Sequence, residues 1–190
     1  LPTLLNPTEQ QANLVEVRGS DGILRAVRPM EWNLSKLEQA WAKWQRTGIL
    51  SDDVPHTFNG FSTFVTLNGS VWFELVEVES DKQIGLIYLN DFVRSLTYGR
   101  FNQATFHAVI WDPLVSRHVD LGKKFLQLIF SSFKLHRLQA EIPLRFKGAI
   151  KVTKSLGFSQ EGTLRRARLY KGQWYNVLVL GLLEDEVDNG

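Results

Sequence analysis

The sequence predicts a mixed α/β chain of the α+β class, in which a mixed sheet is covered by helices. Three observations predict it. The 190 residues, 44% apolar and 22% charged, suffice to bury a full core without staples. Alternating apolar runs dominate the first half, and the second half reads β-α-β-α-β-β. No apolar run approaches the ~18 residues of a membrane span, and the first 25 residues are too polar for a signal sequence.

Residues 1–13 are polar, carry two prolines and read as an N-terminal arm. Val15 to Arg28 reads as two short extended runs around a Ser20-Asp21-Gly22 turn, ended by Pro29. Leu34, Leu37, Trp41 and Trp44 recur at helical spacing, with Gly48 as a stop. Ser51 to Gly60 reads as a loop, and Phe61 to Leu67 fits a helix or a strand. Val71 to Val78 and Gln83 to Leu89 form a hairpin about Ser80-Asp81. Ala104 to Trp111 is a strand closed by Asp112-Pro113. Leu121, Phe125, Leu128, Ile129 and Phe133 mark an amphipathic helix. Leu138 to Ile142 is a strand, and Ala149 to Leu156 is a helix stopped by Gly157. Gly162 to Tyr170 and Trp174 to Leu183 are strands about a Lys171-Gly172 turn. The organisation expected is an arm (1–13), one domain (14–183) and an acidic tail (184–190).

There is no cysteine, which excludes disulfides, cysteine-ligated metals and a thiol nucleophile. The net charge of +2 hides an uneven distribution: Ser116 to Lys171 holds thirteen Lys and Arg against three acids. A basic half suits an anionic ligand, and it equally suits a solvated helix face. The strand, loop and helix from Ala104 to Phe133 are the informative unit, because backbone N–H groups at a helix start bind anions. Arg117, Lys123 and Lys124 add positive charge suited to a pyrophosphate.

Together with His136-Arg137-Leu138-Gln139-Ala140-Glu141, Leu156-Gly157-Phe158 and Glu161-Gly162-Thr163-Leu164-Arg165, this unit resembles the GNAT superfamily of acetyl-CoA-dependent N-acetyltransferases. The branch it is most similar to is the RimJ/RimL type, which acetylates ribosomal-protein N-termini. The likeness runs from Leu24-Arg25-Ala26-Val27-Arg28-Pro29 to Leu183, and is strongest from His136 onward, including Tyr170 to Val177. It implies a mostly antiparallel twisted sheet with two splayed parallel strands, flanked by helices. Acetyl-CoA is then expected between the strands Ala104 to Trp111 and Leu138 to Ile142. The backbone of Val109, Ile110 and Trp111 would hold the pantetheine and acetyl carbonyl. The pyrophosphate would sit on Arg117-His118-Val119-Asp120-Leu121-Gly122, ahead of Lys123.

The chain departs from the family at three of these positions. Asp120 replaces the first glycine of the phosphate loop and sets a carboxylate beside the diphosphate, a repulsion of about 1–4 kcal/mol. Phe146 stands where the family has an asparagine near the pantetheine. Thr153 stands where many members carry a tyrosine that protonates the leaving thiolate, although several RimJ/RimL-type enzymes lack it too.

Acetyl transfer to an amine needs a proton acceptor, and His107 and Glu141 are the candidate catalytic residues. His107 lies in the strand bordering the thioester, unless it faces the other side of the sheet as a structural residue. Glu141 competes with pairing to an Arg or Lys. Glu74 and Glu77, on the hairpin that walls the acceptor side, read as surface acids. His56 and His136 stand alone, no metal-ligand spacing occurs, and no metal is expected. Trp32, Trp41 and Trp44, assigned to the first helix, read as core or as an acceptor groove. Arg165, Arg166 and Arg168 lie in a strand, and with no recognition-helix or RNA-binding signature nucleic acid is not the expected partner.

Two readings follow. One is an acetyl-CoA-dependent N-acetyltransferase on an amine, such as a protein N-terminus, by direct attack. The other is a non-catalytic GNAT-fold subunit of a larger assembly, for example a viral particle, with its cleft filled by side chains such as Phe146. The partners are acetyl-CoA and an amine or peptide acceptor, or a homo-oligomer or larger assembly. No membrane partner is expected, and the expected location is cytoplasmic, or within a particle assembled in the cytoplasm.

Overall fold

A computed structural model of the chain describes residues 7–11, 14, 16–19, 25–46, 56–66, 69–111 and 119–187. Its strands are β1 (Val17–Arg18), β2 (Arg25–Pro29), β3 (Val71–Glu77), β4 (Lys82–Arg94), β5 (Phe101–Ile110), β6 (Leu135–Pro143), β7 (Ser159–Tyr170) and β8 (Gln173–Leu183). Its helices are α1 (Pro7–Gln11), α2 (Leu34–Arg46), α3 (Phe58–Thr66), α4 (Val119–Phe133) and α5 (Lys147–Ser155). The strands form one sheet in the order β1-β2-β3-β4-β5-β6-β8-β7. Every pairing is antiparallel except β5 with β6.

Local chemistry explains the boundaries. The side chain of Asn33 accepts the Lys36 N–H at 2.9 Å and starts α2. Thr57 Oγ1 accepts the Gly60 N–H at 3.1 Å and starts α3, so Phe58 to Gly60 is helical rather than loop. The same cap settles Phe61 to Thr66 as helix. Trp32 precedes α2 instead of lying on it, and Pro7 to Gln11, inside the segment read as an arm, is a short helix. Its Gln11 carboxamide mimics a strand partner: Oε1 accepts from the Trp72 N–H at 3.3 Å, and Nε2 donates to the Trp72 carbonyl. The β7–β8 turn has Lys171 and Gly172 at φ 48° and 73°, the sign pattern of a tight hairpin whose twist matches its strands.

The sheet has a core on each face. On one, α4 buries Leu121, Phe125, Leu126, Ile129, Phe130 and Phe133 against Phe73, Leu89, Phe106 and Leu138. Full burial of each such large side chain stabilises the fold by about 1.5–3 kcal/mol. On the other, α2 and α3 cover an aromatic cluster that includes Trp44, Phe61, Trp72 and Tyr88, with Trp32, Trp41 and Trp111 half-buried around it. The tryptophans of this segment therefore belong to the core, Trp44 fully and the other two in part.

The parallel pair positions the site. Its register runs from Phe101↔Leu135 to Thr105↔Gln139 and stops there, although β5 continues to Ile110 and β6 to Pro143. The two strands splay beyond that point.

Candidate functional site

A cavity of about 410 Å³ occupies the splay. Its walls include β5 from Phe106 to Ile110, β6 from Ala140 to Pro143, the start of α4 at Leu121 and Gly122, and Ala149, Val152 and Thr153 of α5. The Trp111 N–H bonds the Ile84 carbonyl at 3.0 Å, within a register that pairs Gly85 with Ile110 and Leu86 with Val109. Bonds alternate along an antiparallel pair, so Trp111, Val109 and His107 direct their backbone groups to β4. The N–H and C=O of Ala108 and Ile110 then project to the β6 side, where the ladder has ended. Of the three residues expected to offer backbone groups, Ile110 faces the gap, while Val109 and Trp111 are engaged with β4. Ala108, which sequence reasoning passed over, takes their place.

His107 and Tyr88 are directly opposed across β4 and β5 and stack at 4.2 Å with 6° between their planes. Tyr88 stacks in turn on Trp72 at 4.3 Å. The imidazole Nε2 lies 2.9 Å from Asn90 Oδ1, which requires Nε2–H as donor and leaves Nδ1 as an acceptor. Burial, with the positive charge of Arg168 acting the same way, holds the His107 pKa down to about 4. The ring is neutral at physiological pH. Burial likewise pushes the Tyr88 phenol up, well above its ordinary value. His107 lines the cavity and also belongs to a packed stack.

Glu141 is half-buried on the opposite wall. Gln139 donates to it at 3.2 Å and Arg168 at 3.4 Å. If the ladder continued, Glu141 would face His107 two residues past the last pair, so both project to the sheet face that carries α2 and α3. Arg145 and Phe146 follow β6, and Phe146 opens α5 without a side-chain cap. The Phe146 ring meets Tyr170 edge-on at 6.4 Å at the cavity wall. The cleft therefore keeps open volume and is not filled by Phe146. Thr153 is buried in the α5 wall.

Arg117 and His118 lie outside the described residues. Val119 and Asp120 begin the described part of α4, and Asp120 is exposed, with its carboxylate 3.1 Å from Lys124 Nζ. A carboxylate in the first turn of a helix is locally favourable, and this one is matched by a lysine one turn on. Leu121 is buried, and Lys123 is exposed. Gly122 has a steric reason of its own: a Cβ there would stand 2.5 Å from Leu156 Cδ2.

Glu74 is not a surface acid. It is 3% exposed and accepts from Arg28 Nε at 2.9 Å, Lys36 Nζ at 3.1 Å and Gln83 Nε2 at 3.1 Å. Burial alone would raise its pKa, and the hydrogen bonds from Lys36, Arg28 and Gln83 outweigh burial and hold it below the ordinary glutamate range. The Gln83 carbonyl accepts from Lys43 Nζ and Trp111 Nε1, both at 2.9 Å, which ties α2 to the end of β5. The spacing signal for Glu74 was available: with Trp72 and Val76 it shares one alternation phase of β3.

No protein-family model matches the chain, and no curated protein does. Solved structures do. A variant of spermidine N-acetyltransferase SpeG from Vibrio cholerae aligns over 87% of this chain and 96% of its own, at 18% identity and a TM-score of 0.69. RimJ of Mycobacterium smegmatis in complex with CoA-disulfide aligns over 93% and 89%, at 14% identity and 0.69. The Vibrio cholerae spermidine N-acetyltransferase in complex with CoA and spermine aligns over 86% and 97%, at 16% identity and 0.64. The chain has the GNAT fold.

Proposed function

We propose that this chain is an acetyl-CoA-dependent N-acetyltransferase acting on a primary amine, such as a peptide N-terminus. The observation that carries the reading is the open splay, where Ala108 and Ile110 offer backbone donors and acceptors to the gap. A slot with hydrogen-bonding backbone on one wall and apolar α5 side chains on the other fits the amide-rich pantetheine arm. The same fold in complexes that contain CoA supports it.

When bound, acetyl-CoA supplies an acyl carbon activated as a thioester, whose carbon–sulfur bond breaks with its electron pair on sulfur as the amine forms the new carbon–nitrogen bond. The gap-facing N–H groups of Ala108 and Ile110 would orient the acyl oxygen and favour charge on it. An α-amine, ordinarily near 8, is neutral in a useful fraction at physiological pH, so the site need not strip a proton from it before attack. Neutral His107 presents Nδ1 as a hydrogen-bond acceptor for the amine. Glu141 takes the proton that nitrogen releases, through water, and Arg168 holds that carboxylate in place. Thr153 cannot stand in for a tyrosine acid at ordinary pKa, so the departing sulfur receives its proton from water.

Calorimetric titration with acetyl-CoA tests the reading. Saturable binding is expected, and no binding at millimolar concentration overturns it. The second reading, a non-catalytic GNAT-fold subunit, is favoured by Asp120 at the start of α4, and it is the one left standing by that negative result.

A further inference from the structure

The charged groups around the cavity are unevenly matched. Its lining holds one carboxylate, Glu141, and two guanidiniums, Arg145 and Arg168. Arg168 is paired with Glu141. Arg145 is held differently: its guanidinium carbon lies 3.6 Å from the Tyr170 ring centroid, 4.9 Å from Phe146 and 5.5 Å from Tyr175. Among the described residues no carboxylate or carbonyl accepts from it. Arg145 is exposed, and stacking on these ring faces restricts its guanidinium while its planar fork of donors remains available. This is a preorganised grip for a planar two-oxygen anion.

The neighbouring hairpin extends the same charge outward. Between Leu164↔Val177 and Arg168↔Tyr175, β7 places three residues opposite Asn176 alone. Arg166 adopts φ 48°, with its N–H bonded to Asn176 Oδ1 at 2.9 Å, and both Arg165 and Arg166 are exposed beside it. Lys147, at the first turn of α5, is also exposed.

We propose that the acceptor amine carries a carboxylate that Arg145 binds, so that the substrate is an amino acid or a peptide with an acidic group near its N-terminus rather than a polyamine. The inference rests on the acetyl-transfer reading for the chemistry, but the carboxylate grip is testable by binding alone. A polycation would meet Arg145, with which no described carboxylate pairs, and the exposed Arg165 and Arg166 of the neighbouring hairpin, with Glu141 already committed to Arg168.

The experiment is calorimetric titration of the full chain with the C-terminal amides of alanyl-glutamate and alanyl-lysine, so that only the first carries a carboxylate, and with 1,6-diaminohexane, with and without acetyl-CoA. It is repeated on Arg145→Gln and Arg145→Lys, whose folding is checked by thermal melting. A charge-assisted hydrogen-bond pair to Arg145 should make alanyl-glutamate bind about tenfold or more tighter than alanyl-lysine. Arg145→Gln should abolish that preference, and Arg145→Lys should restore part of it. Equal or tighter binding of alanyl-lysine or the diamine overturns the proposal, as does a preference unchanged in Arg145→Gln. Weakened acetyl-CoA binding with unchanged dipeptide binding in that variant also overturns it, assigning Arg145 to the cofactor. Failure of acetyl-CoA to bind while the dipeptide preference holds rejects the transfer chemistry and leaves the carboxylate grip standing.

Discussion

Replacing Glu74 by alanine removes a carboxylate that draws β2, α2 and β4 together, and the cost can be worked from its partners. Arg28, Lys36 and Gln83 all lose an acceptor, and Gln83 Oε1 is already buried without a partner. Stranding one side of a buried ion pair costs about 3–5 kcal/mol. Arg28 keeps Asp81 at 2.6 Å, and the Lys36 side chain is one-third exposed, so water and Asp81 recover part of the loss. The lower end, about 3 kcal/mol, is expected, or roughly 6–12 °C in melting temperature for a chain of this size. Thermal melting and urea denaturation followed by tryptophan fluorescence measure it. The pH dependence has a definite sign. Because the folded carboxyl sits below its unfolded value, ordinarily about 4.3, its stabilisation is present above that pH and is lost as pH falls through the folded pKa. Wild type and Glu74→Ala should therefore converge in acid, and their gap should persist in about 1 M salt, since burial limits screening. A melting shift below about 2 °C at neutral pH, or a gap that does not close in acid, refutes the reasoning.

Three further outcomes are expected. His107, with its pKa held to about 4, contributes stability that is full above its ordinary 6.5 and is lost as pH falls toward 4. The swing is on the order of 3 kcal/mol. His107→Phe keeps the stack on Tyr88 and should flatten that part of the denaturation-midpoint profile, and a wild-type profile already flat from pH 7 to 4 sinks the assignment. Glu141→Gln should lower kcat for acetyl transfer about a hundredfold while leaving acetyl-CoA binding unchanged, and a kcat within twofold of wild type removes Glu141 from the chemistry. Gly157, which ends α5 at φ 103°, should cost about 1–2 kcal/mol on replacement by alanine, read from urea midpoints, and a cost near zero refutes the backbone argument.

Much of the second half was legible because its signals are local. Gly157 and Lys171-Gly172 mark a helix end and a hairpin whose backbone needs positive φ, and α4 shows its apolar stripe directly. The first half was harder where periodicity is weak. Phe58 to Thr66 carries apolar residues on no decisive period, and the deciding signal was one hydroxyl, Thr57, at the cap. The site itself was legible only in part. Strand identity says which residues border the gap, whereas the choice between Val109 and Ala108 as the donor depends on register, which no single strand encodes. Arg145 was passed over because its ring partners Tyr170 and Tyr175 are about 25–30 residues away, brought beside it by the pairing of β8 with β6 and of β7 with β8. Glu74 looked like a surface acid because its neutralising partners, Arg28 and Lys36, come from β2 and α2.

The departures from the family pattern and the splay bear on activity with unequal physical weight. Asp120 is exposed and paired with Lys124, so its charge toward an incoming diphosphate is partly neutralised and screened by solvent. The splay lies between two interior strands, where backbone donors and acceptors without partners cost about 1–3 kcal/mol each. No proline between Phe106 and Ile110 of β5, nor between Ala140 and Ile142 of β6, forbids the strands from zipping closed ahead of Pro143. Side chains on both faces of the splay make specific contacts with their neighbours. The His107–Tyr88 stack and the Glu141–Arg168 pair stand on one side, and the Phe106–Phe158 ring contact at 5.8 Å stands on the other. A fold serving only as a surface for partners would be more stable with the ladder complete and the cavity collapsed. A gap kept open against that cost is what a ligand supplying its own amides and an acyl oxygen to Ala108 and Ile110 would repay, and that weighs the splay above Asp120 in favour of acetyl transfer.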